Sequence, residues 1–209
     1  MRICLIGIIY PYNDRFINEE MGIASITSFL RMHGHDVILM ESRAIELDYD
    51  KIITFCPDIV GISSYEVTKS DIINVTKKIR EKLPSIYICL GGYCNNNWLK
   101  EMPSVDYIVQ GEGEETFLEL IETIEIGGDA SKIKGLVFME NNKIIINEKR
   151  SVIKDINVLP WPARDVLSEN INKISVAKIS TSRGCIGNCG YCTNKRRWGG
   201  NGWAEIYIV

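Results

Sequence analysis

The chain has 209 residues with 24 basic and 27 acidic side chains, a net charge of −3, and is 45% hydrophobic and 24% charged. That balance is ordinary for a globular protein and excludes wholesale disorder, collagen-like repetition and a coiled coil. The slightly acidic whole argues against a nucleic-acid binder, which needs a basic footprint. No apolar run reaches the roughly 18 residues of a membrane-spanning helix, and the first residues lack the small-residue cleavage site of a signal peptide. Seven cysteines, an odd number, point to reduced thiols in a cytoplasmic protein.

The first 126 residues alternate short apolar runs with amphipathic stretches. Residues 2–9 read as a strand buried on both faces, and residues 19–32 as a helix with Ile23, Ile26, Phe29 and Leu30 at helical spacing. A turn at His33-Gly34-His35 leads to a second strand over 36–40, and residues 51–56 form a short helical turn ended by Pro57. A third strand spans 59–63, a helix 68–83 closes at Pro84, and a fourth strand over 86–90 is broken by Gly91-Gly92. Residues 107–109 form a fifth strand, and 114–126 a last helix stopped by Gly127-Gly128. Strands alternating with helices predict an α/β fold, a doubly wound five-stranded parallel sheet covered on both faces. Residues 135–139 and 143–147 then flank Glu140-Asn141-Asn142 as a β-hairpin. Leu159-Pro160-Trp161-Pro162 cannot be helical, and a new strand is expected over 175–180. The organisation expected is 1–128 as the α/β domain, 129–174 as a connector holding the hairpin, and 175–209 as the start of a further domain.

Ligands of open parallel sheets bind beyond the carboxyl ends of the strands. The loops there are residues 10–18, 64–68, 91–97 and 110–114, and together they make a candidate cleft. Ser63, Ser64, Tyr65 and Thr68 offer hydroxyls, Gly91-Gly92 lets backbone approach closely, and Gly111-Glu112-Gly113-Glu114 sets two glycines before a helix. A dinucleotide fingerprint and a phosphate-binding Walker loop are both missing.

The strongest motif is Thr181-Ser182-Arg183-Gly184-Cys185-Ile186-Gly187-Asn188-Cys189-Gly190-Tyr191-Cys192. Three thiols spaced CxxxCxxC let one tight loop wrap a single inorganic centre. Three thiolates can hold three irons of a four-iron, four-sulfur cluster and leave the fourth open. Zinc is the competing metal, but a structural zinc site takes four ligands, and neither a second cysteine pair nor a histidine follows. His33 and His35 read as a solvated turn. Cys4, Cys56 and Cys89 read as small core residues, and Cys94 as a neutral loop thiol.

The CxxxCxxC spacing with an aromatic residue before the third cysteine resembles the radical SAM superfamily. The resemblance implies a [4Fe-4S] cluster on Cys185, Cys189 and Cys192. Its open iron would bind S-adenosylmethionine, with Tyr191 near the adenine. The α/β domain, the Leu159-Pro160-Trp161-Pro162-Ala163-Arg164-Asp165 stretch and Thr-Ser-Arg-Gly-Cys together look like the subclass with a cobalamin-binding domain. So do Gly34-His35-Asp36-Val37, Pro57-Asp58-Ile59-Val60-Gly61-Ile62-Ser63 and Val109-Gln110-Gly111-Glu112-Gly113-Glu114.

That likeness implies a Rossmann-like or flavodoxin-like cobalamin-binding domain followed by the start of a (β/α) barrel. Cobalamin would meet Tyr10, Pro11 and Tyr12 on the cobalt side, Ser63, Ser64, Tyr65 and Thr68 at the tail or corrin amides, and Gly91, Gly92 and Tyr93 beneath. Gly111, Glu112, Gly113 and Glu114 would close the far side. Asp14 has Phe16 two places on where the Asp-x-His-x-x-Gly pattern of classical cobalamin domains has its histidine, so this loop supplies no histidine to cobalt. The implied reaction is methyl transfer to an unactivated carbon through a 5′-deoxyadenosyl radical, on a small-molecule or peptide substrate, with a flavodoxin or ferredoxin as electron donor. A full barrel needs roughly 200 residues or more, so this chain is expected to stop short of it and to be incomplete for catalysis. The alternatives are a stand-alone cobalamin-binding module and a zinc-stabilised regulatory domain.

Overall fold

The computed structural model describes residues 1–9, 20–166, 178–180, 183–184 and 190. Among the described residues seven strands form one sheet: β1 (Arg2–Ile8), β2 (Asp36–Ser42), β3 (Ile59–Ser64), β4 (Tyr87–Gly92), β5 (Tyr107–Val109), β6 (Leu136–Glu140) and β7 (Lys143–Ile146), in the order β2-β1-β3-β4-β5-β6-β7. The first five are parallel. The connecting helices are α1 (Met21–Met32), α2 (Tyr49–Phe55), α3 (Lys69–Lys82), α4 (Trp98–Glu101) and α5 (Glu114–Glu125).

Side chains alternate across a strand, and that parity sorts the core into two layers. Cys4, Ile6, Val60, Ile62, Ile88 and Leu90 face the layer built with Ile52 of α2, Ile72, Val75 and Ile79 of α3 and Trp98 of α4. Ile3, Leu5, Ile59, Cys89 and Val109 face the other, built with Ile23, Ala24 and Leu30 of α1 and Phe117, Leu120 and Ile121 of α5. The parallel strands are buried on both sides, which is why they read as continuous apolar runs.

Local chemistry sets the ends. The Asp48 side chain accepts from the Lys51 amide at the start of α2, and α2 stops at Cys56 in the left-handed region, φ 50°. Cys56 is exposed, contrary to its reading as a core residue, because it forms the helix stop instead of continuing the apolar face. Cys4 and Cys89 are buried as expected, and burial pushes the Cys4 thiol up to about 12. The His33 ring packs on Phe29, and His35 Nδ1 lies 3.3 Å from the terminal amine. The strand expected over 175–180 falls largely outside the described residues, and residues 178–180 are irregular.

The hairpin is not part of a separate connector. β6 pairs antiparallel with β5, Tyr107 opposite Phe138 and Ile108 opposite Val137, and β7 pairs with β6. β5 has only three residues, and β6 covers an edge that would otherwise present unpaired backbone. The proline-rich stretch is docked too. The Ala163 amide donates to Ala24 O at 3.0 Å, and Ala163 and Val166 are buried in the α1/α5 layer. Arg31 of α1 grips Asp165 through both carboxylate oxygens, at 3.0 and 2.6 Å.

The hydrogen bond from Arg31 holds the Asp165 carboxyl below its ordinary value of 3.8. A carboxyl depressed in the folded state stabilises above its ordinary pKa, and the contribution is lost as pH falls through the folded value. Asp165→Asn is therefore expected to lower stability by about 1 kcal/mol near neutral pH, the scale of a partly exposed ion pair. Thermal melts of both proteins against pH should show the gap closing in acid; a gap independent of pH would rule out the ion pair as its source.

Candidate functional site

A cavity of about 430 Å³ opens at the carboxyl edge of the sheet, on the α1/α5 side. Its size suits a small organic group. The odd-numbered positions of β1, β3 and β4 face this side, and they shrink toward the edge: Leu5 pairs with Gly61 and Gly61 with Cys89, then Gly7 with Ser63 and Ser63 with Gly91. Small residues in those rows leave the slot between the sheet and the two helices. Gly22, Ile23, Ser25 and Ile26 of α1 form one wall, and Val109, Gly111, Glu112, Gly113, Glu114 and Phe117 the opposite one. Pro162, Ser180, Arg183 and Gly184 line the same cavity, so the segment entering the cysteine motif is one of its sides.

The glycines differ in what they leave open. At Gly61 a Cβ would sit 2.7 Å from Leu5 Cδ2 and 3.1 Å from Phe117 Cζ, so its space is taken by core side chains. At Gly22, Gly91 and Gly111 a Cβ would meet nothing within 4 Å, and these three positions bare the backbone to the slot.

The polar groups converge on one point. Arg183 donates to Glu112 Oε1 at 3.0 Å, to Glu114 Oε1 at 2.6 Å and to Ser25 Oγ at 3.0 Å. Ser25 Oγ donates to Glu114 Oε1 at 2.7 Å, and the Ile153 amide donates to the other Glu112 oxygen at 2.5 Å. The paired carboxylates raise the Arg183 guanidinium above its ordinary value, against the opposing effect of burial. Ser25 and Arg183 are not among the expected site residues, and Glu114 is expected only as the end of the 110–114 loop. The GEGE stretch was a visible signal, but the arginine is about 70 residues away in sequence.

Of the expected residues, Ser63, Gly91, Gly92, Tyr93, Gly111, Glu112 and Gly113 line the cavity. Ser64 and Thr68 do not. Ser64 is fully buried and its hydroxyl donates to Gly91 O at 2.5 Å, because even positions of β3 face the opposite layer. Thr68 is fully buried as well, and its hydroxyl caps the turn by donating to Tyr65 O and accepting from the Tyr65 amide. Both hydroxyls serve the fold, which corrects their reading as ligand contacts. Tyr65 stands at the edge beside the slot. Its ring stacks on Tyr93 with centroids 5.6 Å apart, and its hydroxyl donates to Glu20 Oε2 at 2.8 Å. Glu112 lines the slot, but both its oxygens are engaged. Tyr10, Pro11, Tyr12, Tyr191 and the thiols Cys185, Cys189 and Cys192 lie outside the described residues. Among the described residues no cluster of histidine, cysteine or acidic side chains could hold a metal ion, and no helix is long and apolar enough to cross a membrane.

Comparison with protein families matches residues 13–121 to the B12 binding domain. The chain belongs to the B12-binding domain family. The match begins after β1 and runs from α1 through most of α5, so it contains the ends of β3, β4 and β5 that border the slot. The B12-binding chain is 32% identical over 196 residues to an uncharacterized methyltransferase of Pyrococcus horikoshii, covering 87% of this chain and 42% of that protein. It is 30% identical to the anaerobic magnesium-protoporphyrin IX monomethyl ester cyclase of Synechocystis, covering 95% of this chain and 43% of the cyclase. The chain thus spans under half the length of these relatives. Among solved structures, the cobalamin-dependent S-adenosylmethionine radical enzyme OxsB, with aqua-cobalamin and S-adenosylmethionine bound, superposes with a TM-score of 0.81 at 20% identity. That superposition covers 91% of this chain and 28% of OxsB, and shows a shared fold.

Proposed function

We propose that the chain is the cobalamin-binding part of a cobalamin-dependent radical SAM enzyme, most simply a methyltransferase. The observation that carries this reading is the backbone-floored slot at the carboxyl edge of a B12-binding domain, with the approach to a CxxxCxxC motif as one of its walls. The slot has the size of a heterocyclic base with its sugar rather than of a whole corrinoid, and its residues fit such a tail. Bare backbone at Gly91, Gly22 and Gly111 lets a flat group lie close, Ile23, Ile26, Val109 and Phe117 take its apolar faces, and Ser63 offers a hydroxyl. Tyr65 and Tyr93 stand at the rim, where a larger ring system would rest.

Cys185, Cys189 and Cys192 would hold a [4Fe-4S] cluster and, through its open iron, S-adenosylmethionine, with Tyr191 beside the adenine. Tyr10, Pro11 and Tyr12 would face the cobalt side. When bound, cobalamin supplies methyl-transfer chemistry and the cluster one-electron chemistry. The chain's own residues seat the tail, exclude water from it and line the slot with Ser180, Arg183 and Gly184 ahead of the cysteine motif. The reading includes a cytoplasmic location, a small-molecule or peptide substrate, a flavodoxin or ferredoxin as electron donor, and a catalytic barrel beyond what these residues provide.

The test uses the full chain. Hydroxocobalamin titration should give saturable binding by absorbance, and no binding even at millimolar cofactor, a weak affinity of about −4 kcal/mol, would refute the cobalamin assignment. Anaerobic reconstitution with iron and sulfide should give the charge-transfer absorbance of a four-iron cluster. Cys185→Ala should abolish it and Cys94→Ala should leave it intact. A signal that survives Cys185→Ala would reject the ligand set, and stoichiometric zinc in its place would favour the regulatory reading.

A further inference from the structure

We propose that Arg183 is a latch on the slot: by spanning Glu112 and Glu114 it holds the segment ahead of the cysteine motif as a wall over the bound ligand. The proposal rests on the cobalamin-binding reading above and extends it to how the cofactor is retained.

Three elements far apart in sequence meet at this point. Ser25 comes from α1, Glu112 from the loop just before α5, Glu114 from the first residue of α5, and Arg183 from two residues before Cys185. All four side chains line the cavity. The carboxylates are nearly sealed from solvent, with 5% and 3% of their side chains exposed, and Arg183 keeps 22%. A planar guanidinium can address two acceptors along fixed directions, which an ammonium cannot. Glu114 lies in the first turn of α5, where the helix dipole favours negative charge. The Ile153 amide and Ser25 hydroxyl supply further donors. The carboxylates therefore belong to the α/β domain, and the removable piece is the arginine with its segment.

Two features mark this as a latch rather than a core contact. Arg183 lines the slot and keeps 22% of its side chain exposed, so it stands where the slot meets solvent. Its loss would also leave two buried carboxylates facing each other without a counter-charge, a strained arrangement that drives the wall outward. Arg164, whose guanidinium donates to Lys178 O at 2.8 Å, ties the near end of the same segment. The latch therefore acts on the far end, at Arg183 and Gly184.

The experiment compares the full chain with Arg183→Met in two readouts, amide hydrogen exchange over residues 178–184 and the rate of hydroxocobalamin release into excess scavenger. The triple variant Arg183→Met, Glu112→Gln, Glu114→Gln removes the arginine and both acceptors, so no charge is left buried alone, and it serves should Arg183→Met fail to fold. Faster exchange in the segment with at least tenfold faster release, at an unchanged melting profile over the sheet, is the expected result. Arg183→Lys, which keeps the charge but not the fork, should fall between. Exchange and release at native rates would overturn the latch while leaving cofactor binding intact. Faster exchange with native release would also overturn it, since the wall would then move without retaining the ligand. No binding by the native chain would overturn the cobalamin reading and the latch together.

Discussion

Gly91→Trp is expected to abolish cobalamin binding in a folded protein, whereas Gly92→Ala is expected to damage the fold. The two glycines are adjacent, end the same strand and look equivalent in sequence. Gly91 faces the slot, and a Cβ placed on it meets nothing within 4 Å. An indole there would project into the space assigned to the cofactor tail, while the carbonyl of residue 91 could still accept from Ser64 Oγ. Affinity for hydroxocobalamin should fall at least 100-fold, about 2.7 kcal/mol, with the melting temperature within about 2 °C of native, as for substitutions outside packed regions.

Gly92 has φ +90°, and a Cβ there would lie 2.5 Å from Ser64 O and 3.0 Å from Ser64 N. Those are backbone atoms of the neighbouring strand, held by the β3–β4 register and by the Tyr93 amide, which donates to Ser64 O at 2.7 Å. Neither the conformation nor the clash can relax cheaply, so the cost should be about 3 kcal/mol or more. Paired titrations and thermal melts of the two variants check both halves. Native affinity in a well-folded Gly91→Trp protein would move the cofactor away from this slot.

Trp98→Ala should produce the largest loss of stability among single core truncations. Trp98 is only 1% exposed and begins the four-residue α4 between the glycine pair and β5. It packs with Leu99, Met102 and Val105 against the sheet face carrying Ile88 and Leu90, and Lys69 Nζ lies 5.5 Å from its ring centroid. The truncation leaves a cavity in a layer that cannot collapse, because the strands behind it are locked in register. The expected cost is about 3–5 kcal/mol, a fall in melting temperature of roughly 6–20 °C for a domain of this size. Trp98→Phe should lose less than half as much. A drop of under about 1 kcal/mol in Trp98→Ala would mean that α4 is not integral to the core.

Much of the scaffold is legible without coordinates because it follows from local patterns. Apolar runs of strand length, separated by amphipathic stretches with periodic Ile, Leu and Phe, are enough for five parallel strands covered on two faces. Asn141 and Asn142, at φ 48° and 60°, mark the hairpin turn, and Gly91-Gly92 and Gly111 mark an edge open to a ligand. What such patterns do not carry is the partner of each element. The hairpin is visible as a hairpin, yet its pairing with the three-residue β5 depends on which sheet edge lies bare once the chain has folded.

The site divides along the same line. The sequence alone determined the class of the domain, the glycine-rich edge and the thiol triplet, because each is a short-range pattern whose chemistry is written in a few consecutive residues. Only the tertiary structure decided that Ser63 faces the slot while Ser64 next to it serves the opposite layer. Strand parity separates the two, but which helices cover which face is a global outcome. Only the tertiary structure brought Arg183 onto Glu112 and Glu114, because that pairing spans about 70 residues and involves side chains that are individually ordinary. An ion pair of that kind has no local signature: its partners are selected by the low-dielectric pocket in which the fold leaves them, where two carboxylates require a cation.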